Sequence, residues 1–150
     1  MGEVFGIHGD TMVIALVSCG KSKLAHKAMA CELYTGTLFK LSYEYAINNS
    51  DQVFILSAKH GLVHPNTRIE PYNETLNGKS KHDQKKWAYK VLQTLPKADH
   101  YIILAGENYR KYITQKMCSY EVPLEGLSFG HQLQRLKTLL KTSNKTKEQT

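Results

Sequence analysis

Lys21 and Lys23 follow Cys19 and Gly20 just after the apolar run VIALVS, which ends at Ser18. Two lysines on a loop of small residues suit an anion, most simply a phosphate. Gly20 lets the backbone turn or approach a ligand closely. Lys59 and His60 follow a second apolar run, VFILSA, and Glu107 and Asn108 follow a third, which ends in Ala-Gly. Between the second and third lies Glu70-Pro71-Tyr72-Asn73. These types together supply cations for a phosphate, a carboxylate and a histidine for proton transfer, and an aromatic ring for stacking on a base. Each residue also has a plainer reading. Lys59 and His60 can cap a turn, Glu70 can pair with Arg68 at the surface, and Tyr72 can be core.

Chemistry at these positions requires elements that bring them together. The runs at 13–18, 53–58 and 101–106 are short, rich in β-branched residues and nearly unbroken, as central strands covered on both faces are. Helical spacing occupies 36–48, and more clearly 81–95, where Trp87, Val91, Leu92 and Leu95 share a side. A short helix is expected over 108–117 and a closing amphipathic one over 127–141, with Leu133, Leu136, Leu139 and Leu140 inward. Residues 4–8 could add an edge strand. The alternation predicts a single three-layer α/β domain over 1–141 with a small, mostly parallel central sheet. Residues 142–150 read as a polar, frayed tail. In such a sheet the strand ends converge on one crevice. The stretch from Lys59 to Lys81 reads as a long functional loop that folds over it. In ELYTGTLF, Thr35 or Thr37 is expected to cap the following helix, and Tyr34 either packs or wedges against a base.

Bulk properties narrow the class. A chain of 150 residues, 41% hydrophobic and 22% charged, fits one globular domain with a real core. No apolar stretch is long enough to span a bilayer, and the start lacks the pattern of a secretory signal, which makes the cytoplasm the default location. The formal charge of +7 favours a polyanion partner, and Lys81, Lys85, Lys86, Lys90 and Arg110 place much of it inside the chain rather than in its tail. Cys19, Cys31 and Cys118 are an odd set without metal-type spacing, so neither a disulfide framework nor a metal site is expected, and no cofactor is implied. Cys19 beside positive charge could act as a nucleophile, although a cysteine at a strand end more often packs. SCGKSK lacks the GxxxxGK[ST] pattern, and there is no dinucleotide fingerprint or nucleophile elbow.

The ordered motifs LVSCGKSK, ELYTGTLF, ILSAKHGLV and IEPYNETL, spanning about 13–78, resemble those of the YaaA-like peroxide-stress proteins and related small bacterial and phage domains. That resemblance implies DNA binding and protection against DNA damage. A weaker likeness is to the uracil-DNA glycosylase superfamily. Its water-activating loop is echoed by Glu70-Pro71-Tyr72-Asn73, and its DNA-facing histidine loop by the segment that carries His131, without the usual His-Pro-Ser. Small-Cys-Lys loops also occur in archaeosine-type tRNA modification enzymes.

These resemblances imply a DNA-binding N-glycosylase that removes a modified or damaged base, with a uracil-DNA-glycosylase-like fold. Glu70 would orient water or stabilise the sugar cation, and His60 or His131, with Lys21 and Lys59, would balance charge on the leaving base and the flanking phosphates. Ser18, Cys19, Gly20, Lys23, Tyr34 and Lys59 would bind the substrate, together with Tyr72, Asn73, Glu107, Asn108 and His131. The alternative is a non-catalytic DNA- or nucleotide-binding protein of stress or phage defence that uses the same crevice.

Overall fold

The β-branched run Val13–Ser18 forms strand β1 at the centre of a five-stranded sheet. The structure is a computed structural model and describes residues 11–149, with side chains through Thr142. The edge strand expected at 4–8 lies outside the described residues. In chain order, β1 is followed by β2 (Ala28–Met29), α1 (Ala30–Leu33), α2 (Thr37–Asn49), β3 (Gln52–Ser57) and β4 (Gly61–Val63). Then come β5 (Arg68–Ile69), α3 (Lys81–Thr94), β6 (His100–Leu104), α4 (Glu107–Thr114), β7 (Tyr120–Glu121) and α5 (Phe129–Gln149).

The sheet order is β4-β3-β1-β6-β7. Strand β1 pairs in parallel with β3 and with β6, and β6 pairs in parallel with β7. Strand β4 runs antiparallel to β3, so the sheet is mixed. The reason is local. Gly61, at a φ of 78°, closes a tight turn that sends the chain straight back along β3. The stretch expected to be one long loop is thus partly ordered as β4, and as β5, which pairs with β2 in a separate ribbon.

Alternate residues of β1 face opposite ways, as a pleated strand requires. Ala15 and Val17 join a core with Phe39 and Ala46 of α2 and Leu136 of α5. Ile14 and Leu16 join a second core with Trp87 and Val91 of α3 and Ile113 of α4. Helices therefore cover both faces of the sheet. Leu136 and Leu140 are buried, while Leu133 and Leu139 are half-buried. Helix α5 continues past 141, where a frayed tail was expected.

At the amino end of the sheet, Asp99 accepts from the Met12 N–H at 2.7 Å and Asp51 from the Val13 N–H at 2.8 Å. These carboxylates fix the entry of β1, and its carboxyl end is left to serve the cleft. No helix among the described residues is long and apolar enough to cross a membrane.

Candidate functional site

Beyond Ser18 the Cys19 N–H still bonds to the Leu56 carbonyl at 2.9 Å, and then the chain turns away from the sheet. Residues 22–24 run back against 33–35, with Leu24 N–H to the Leu33 carbonyl and Thr35 N–H to the Ser22 carbonyl, both 2.9 Å. This pairing holds the basic loop at the carboxyl ends of β1 and β6. Gly20 does not have a positive φ, and a Cβ there would meet only ordinary contacts at 3.8 and 3.9 Å. Its special backbone freedom, expected from the sequence, goes unused.

Two adjoining cavities open at this point, sharing the wall formed by Ser18–Lys21 and Gly106–Glu107. The first, of about 750 Å³, is polar and adds Lys23, Asn73, Glu74, Asn77 and Asn108. The second, of about 530 Å³, is largely apolar and runs between α2, β6 and α5. Both volumes lie in the range of small-ligand sites. The polar cavity is braced by Asn108, whose amide donates to the Asn77 side chain at 2.9 Å. Tyr109 braces it too, because its hydroxyl accepts from the Leu76 N–H at 3.4 Å and lies 3.7 Å from the Cys19 sulfur. Burial pushes the Tyr109 hydroxyl above its ordinary range, and the nearby Cys19 adds to this.

Helices α2 and α4 both start at the cavities, and both have a glycine, Gly36 and Gly106, as N-cap with no side-chain cap. Thr35 and Thr37 do not cap α2, contrary to expectation. Away from the cavities, α3 is capped by Ser80, whose hydroxyl accepts from the Asp83 N–H at 3.1 Å. Uncapped N–H groups and the positive end of the helix dipole favour an anion. Lys21 is exposed beside them.

The structure brings Ser18, Cys19, Gly20, Lys21 and Lys23 together with Asn73, Glu107 and Asn108. It does not bring the others. Glu70 is exposed just after β5, where pairing with β2 holds that segment aside, and it lines neither cavity. Lys59 and His60 sit on the exposed turn between β3 and β4. The His60 backbone donates to Ser57 Oγ at 3.0 Å. Partial desolvation of its ring, which packs edge-on against Tyr72, lowers its affinity for a proton, and the Lys59 and Lys90 charges add to this. His131 lies near the start of α5, its Nδ1 2.8 Å from the Ser128 hydroxyl, and lines a separate shallow hollow.

Tyr34 and Tyr72 are not free to stack on a base. They are 1% and 6% exposed, and their hydroxyls meet at 2.6 Å. Ser57 donates to the Tyr72 hydroxyl at 2.8 Å, and the Lys23 ammonium lies 4.6 Å from the Tyr72 ring centre. Burial pushes the Tyr34 hydroxyl up to about 12 and pushes Tyr72 up as well.

The family of unknown function DUF6884 matches residues 14–138. The chain belongs to that family. The match runs from β1 into α5, so the DUF6884 region contains the whole of both cavity walls. No curated protein and no solved structure matches the chain.

Reading the sequence missed Glu74, Asn77, Tyr109 and Arg110, which line the cavities. The last two directly follow Glu107 and Asn108, and one further helical turn of the same argument would have included them. Glu74 and Asn77 carry no such signal, because the path of an irregular segment does not follow from periodicity. Among the described residues, no group of three or more His, Cys, Asp or Glu is placed to hold a metal ion.

Proposed function

We propose that the protein is a nucleobase N-glycosylase acting on DNA, in a fold of uracil-DNA-glycosylase type, and that its carboxylates are Glu107 and Glu74 rather than Glu70. One observation carries this reading: Lys21 and Lys23 line the polar cavity together with Glu74 and Glu107, carboxylates that form no ion pair within 4 Å among the described residues. Lys21 and the open ends of α2 and α4 hold the target nucleotide's phosphate and the one that follows it. Glu107 faces the sugar. In the reaction, a water oxygen bonds to C1′ and the C1′–N bond breaks with its electron pair leaving on the base. The proton released by the water passes through the carboxylate to the departing base. A negative group beside C1′ stabilises the sugar cation that develops. The net charge of +7 supports a DNA partner.

The second reading is a non-catalytic DNA or nucleotide binder, favoured by the solvent exposure of Glu74 and Glu107, which leaves water free to screen them. Incubation with DNAs carrying different base modifications separates the two. The glycosylase reading expects a released base in mass analysis and alkali-labile breaks, both lost in Glu107→Gln while DNA binding persists. Salt-sensitive DNA binding with no released base from any of the DNAs leaves the binder.

A further inference from the structure

The apolar cavity contains a polar group that the fold leaves unsatisfied. Ser42 lies in α2, is 3% exposed, and lines the cavity. Serines in helices commonly donate to the carbonyl four residues back, and even Ser50, just past the end of α2, does so to Ala46 at 2.7 Å. Ser42 makes no such bond, and among the described residues its hydroxyl has no partner. A buried hydroxyl left unpaired costs on the order of 1–3 kcal/mol, and such groups are rare.

A second polar group faces the same space from α5. The Gln132 amide nitrogen donates to the Leu127 carbonyl at 2.9 Å. That bond fixes which end of the amide is the donor and leaves its Oε1 as an acceptor, on a residue that lines the cavity. Phe39, Leu104 and Leu124 form the apolar sides, and Phe129, 63% exposed, is also on the lining. The uncapped N–H groups of α2 are at the opening, because the first bond inside that helix is Lys40 N–H to the Gly36 carbonyl. Ser42 is five residues beyond Thr37, roughly 7 Å along the helix axis. This depth is comparable with the span from phosphate to base in a nucleotide.

We propose that the apolar cavity is the pocket for the nucleobase, with the Ser42 hydroxyl and Gln132 Oε1 hydrogen-bonding to its edge and the nucleotide's phosphate at the open end of α2 beside Lys21. The proposal rests on the nucleotide reading of the cleft and adds which cavity takes the base and which side chains read it. Flat apolar faces suit a base, and a donor–acceptor hydroxyl opposite an amide oxygen suits its polar rim.

The test is calorimetric titration of the full chain with the four deoxynucleoside 5′-monophosphates and with inorganic phosphate. At least one nucleotide is expected to bind tenfold or more tightly than phosphate. Ser42→Ala weakens that nucleotide about tenfold, the worth of one hydrogen bond made in a dry site. It leaves phosphate binding unchanged and leaves the melting temperature equal or higher, since it removes an unpaired hydroxyl and improves helix propensity. A merely structural serine would instead lower the melting temperature. Gln132→Leu is the second variant and weakens the same nucleotide. The proposal is overturned if no nucleotide outbinds phosphate, or if both variants bind the nucleotide as the parent does. Nucleotide binding that depends on Ser42, with no base released from DNA, sustains the pocket and removes the glycosylase reading.

Discussion

The hydroxyls of Tyr34 and Tyr72 lie 2.6 Å apart although the residues are 38 positions apart in the chain. The contact ends a chain of donors that starts at the His60 backbone N–H and passes through Ser57. It ties the segment after β5 to the end of β3 and to the loop before α2. Two of the most recognisable motifs of the sequence, ELYTG and EPYN, therefore meet inside the protein rather than at its surface.

Tyr72→Phe removes the middle of that chain and leaves the Tyr34 and Ser57 hydroxyls without it. The expected loss of stability is about 1–3 kcal/mol in urea unfolding. Tyr34→Phe costs less because it is the terminal member. The double variant is expected to be less destabilised than the sum of the two, which a double-mutant cycle measures.

Alkaline pH acts on the same pair. Tyr34 is raised from 10.0 to about 12 in the folded protein, and Tyr72 is raised too. A group whose folded value lies above its unfolded value contributes stability that is present below the unfolded value. That stability is lost as pH rises through the folded one. Unfolding free energy should therefore be flat up to about pH 10 and fall between about 10 and 12, with Tyr34→Phe flattening part of the fall. Tyrosinate absorbance followed alongside denaturation checks the assignment. Loss of stability beginning well below pH 9 would contradict it.

The glycine caps oppose stability to binding. A Cβ at Gly36 or Gly106 meets nothing within 4 Å, and neither residue has a positive φ. Gly36→Asp and Gly106→Asp are each expected to stabilise the fold by a few tenths of a kcal/mol, because aspartate caps a helix somewhat better than glycine. Each is expected to weaken binding of phosphate-bearing ligands, because the carboxylate takes the place of the anion. Ser80→Ala is the contrasting control. It costs about 1 kcal/mol of stability at α3 with ligand affinity unchanged. Thermal melts and titration of the same samples measure both.

Lys21 and Lys23 should differ in their effects. The Lys21 ammonium is exposed with no partner among the described residues, whereas the Lys23 ammonium donates to the Lys21 carbonyl at 3.2 Å and lies over the Tyr72 ring. Lys21→Gln is expected to weaken DNA binding and lower the slope of log affinity against log salt by about one, with stability unchanged. Lys23→Gln is expected to lower stability as well. Fluorescence anisotropy over a range of salt concentrations reads the slope.

The strands and main helices were legible because their signal is local. The runs at 13–18, 53–58 and 101–106 alternate between two cores, so each must be apolar throughout, and that pattern is visible without a structure. Trp87 and Val91 share the buried side of α3 for a similar reason. The site was legible only where it follows directly from a strand end, as at Ser18–Lys21 and Glu107–Asn108. Glu70 was misplaced because a two-residue pairing between β5 and β2 decides where it sits, and nothing local announces that pairing. Tyr34 and Tyr72 look like exposed aromatics in polar surroundings, and only their meeting with Ser57 makes them interior.

Strand β1 is hydrogen-bonded on both sides along almost its whole length, to β3 over 14–18 and to β6 over 13–17. The lysine loop it carries is thus mounted on a strand bonded along both edges. Segment 73–77, by contrast, is irregular and held beside it by hydroxyl and amide contacts to Tyr109 and Asn108. One wall of the binding space is thus bonded into the sheet and the other hangs on a few side-chain contacts, so a guest of different shape meets less resistance from the second.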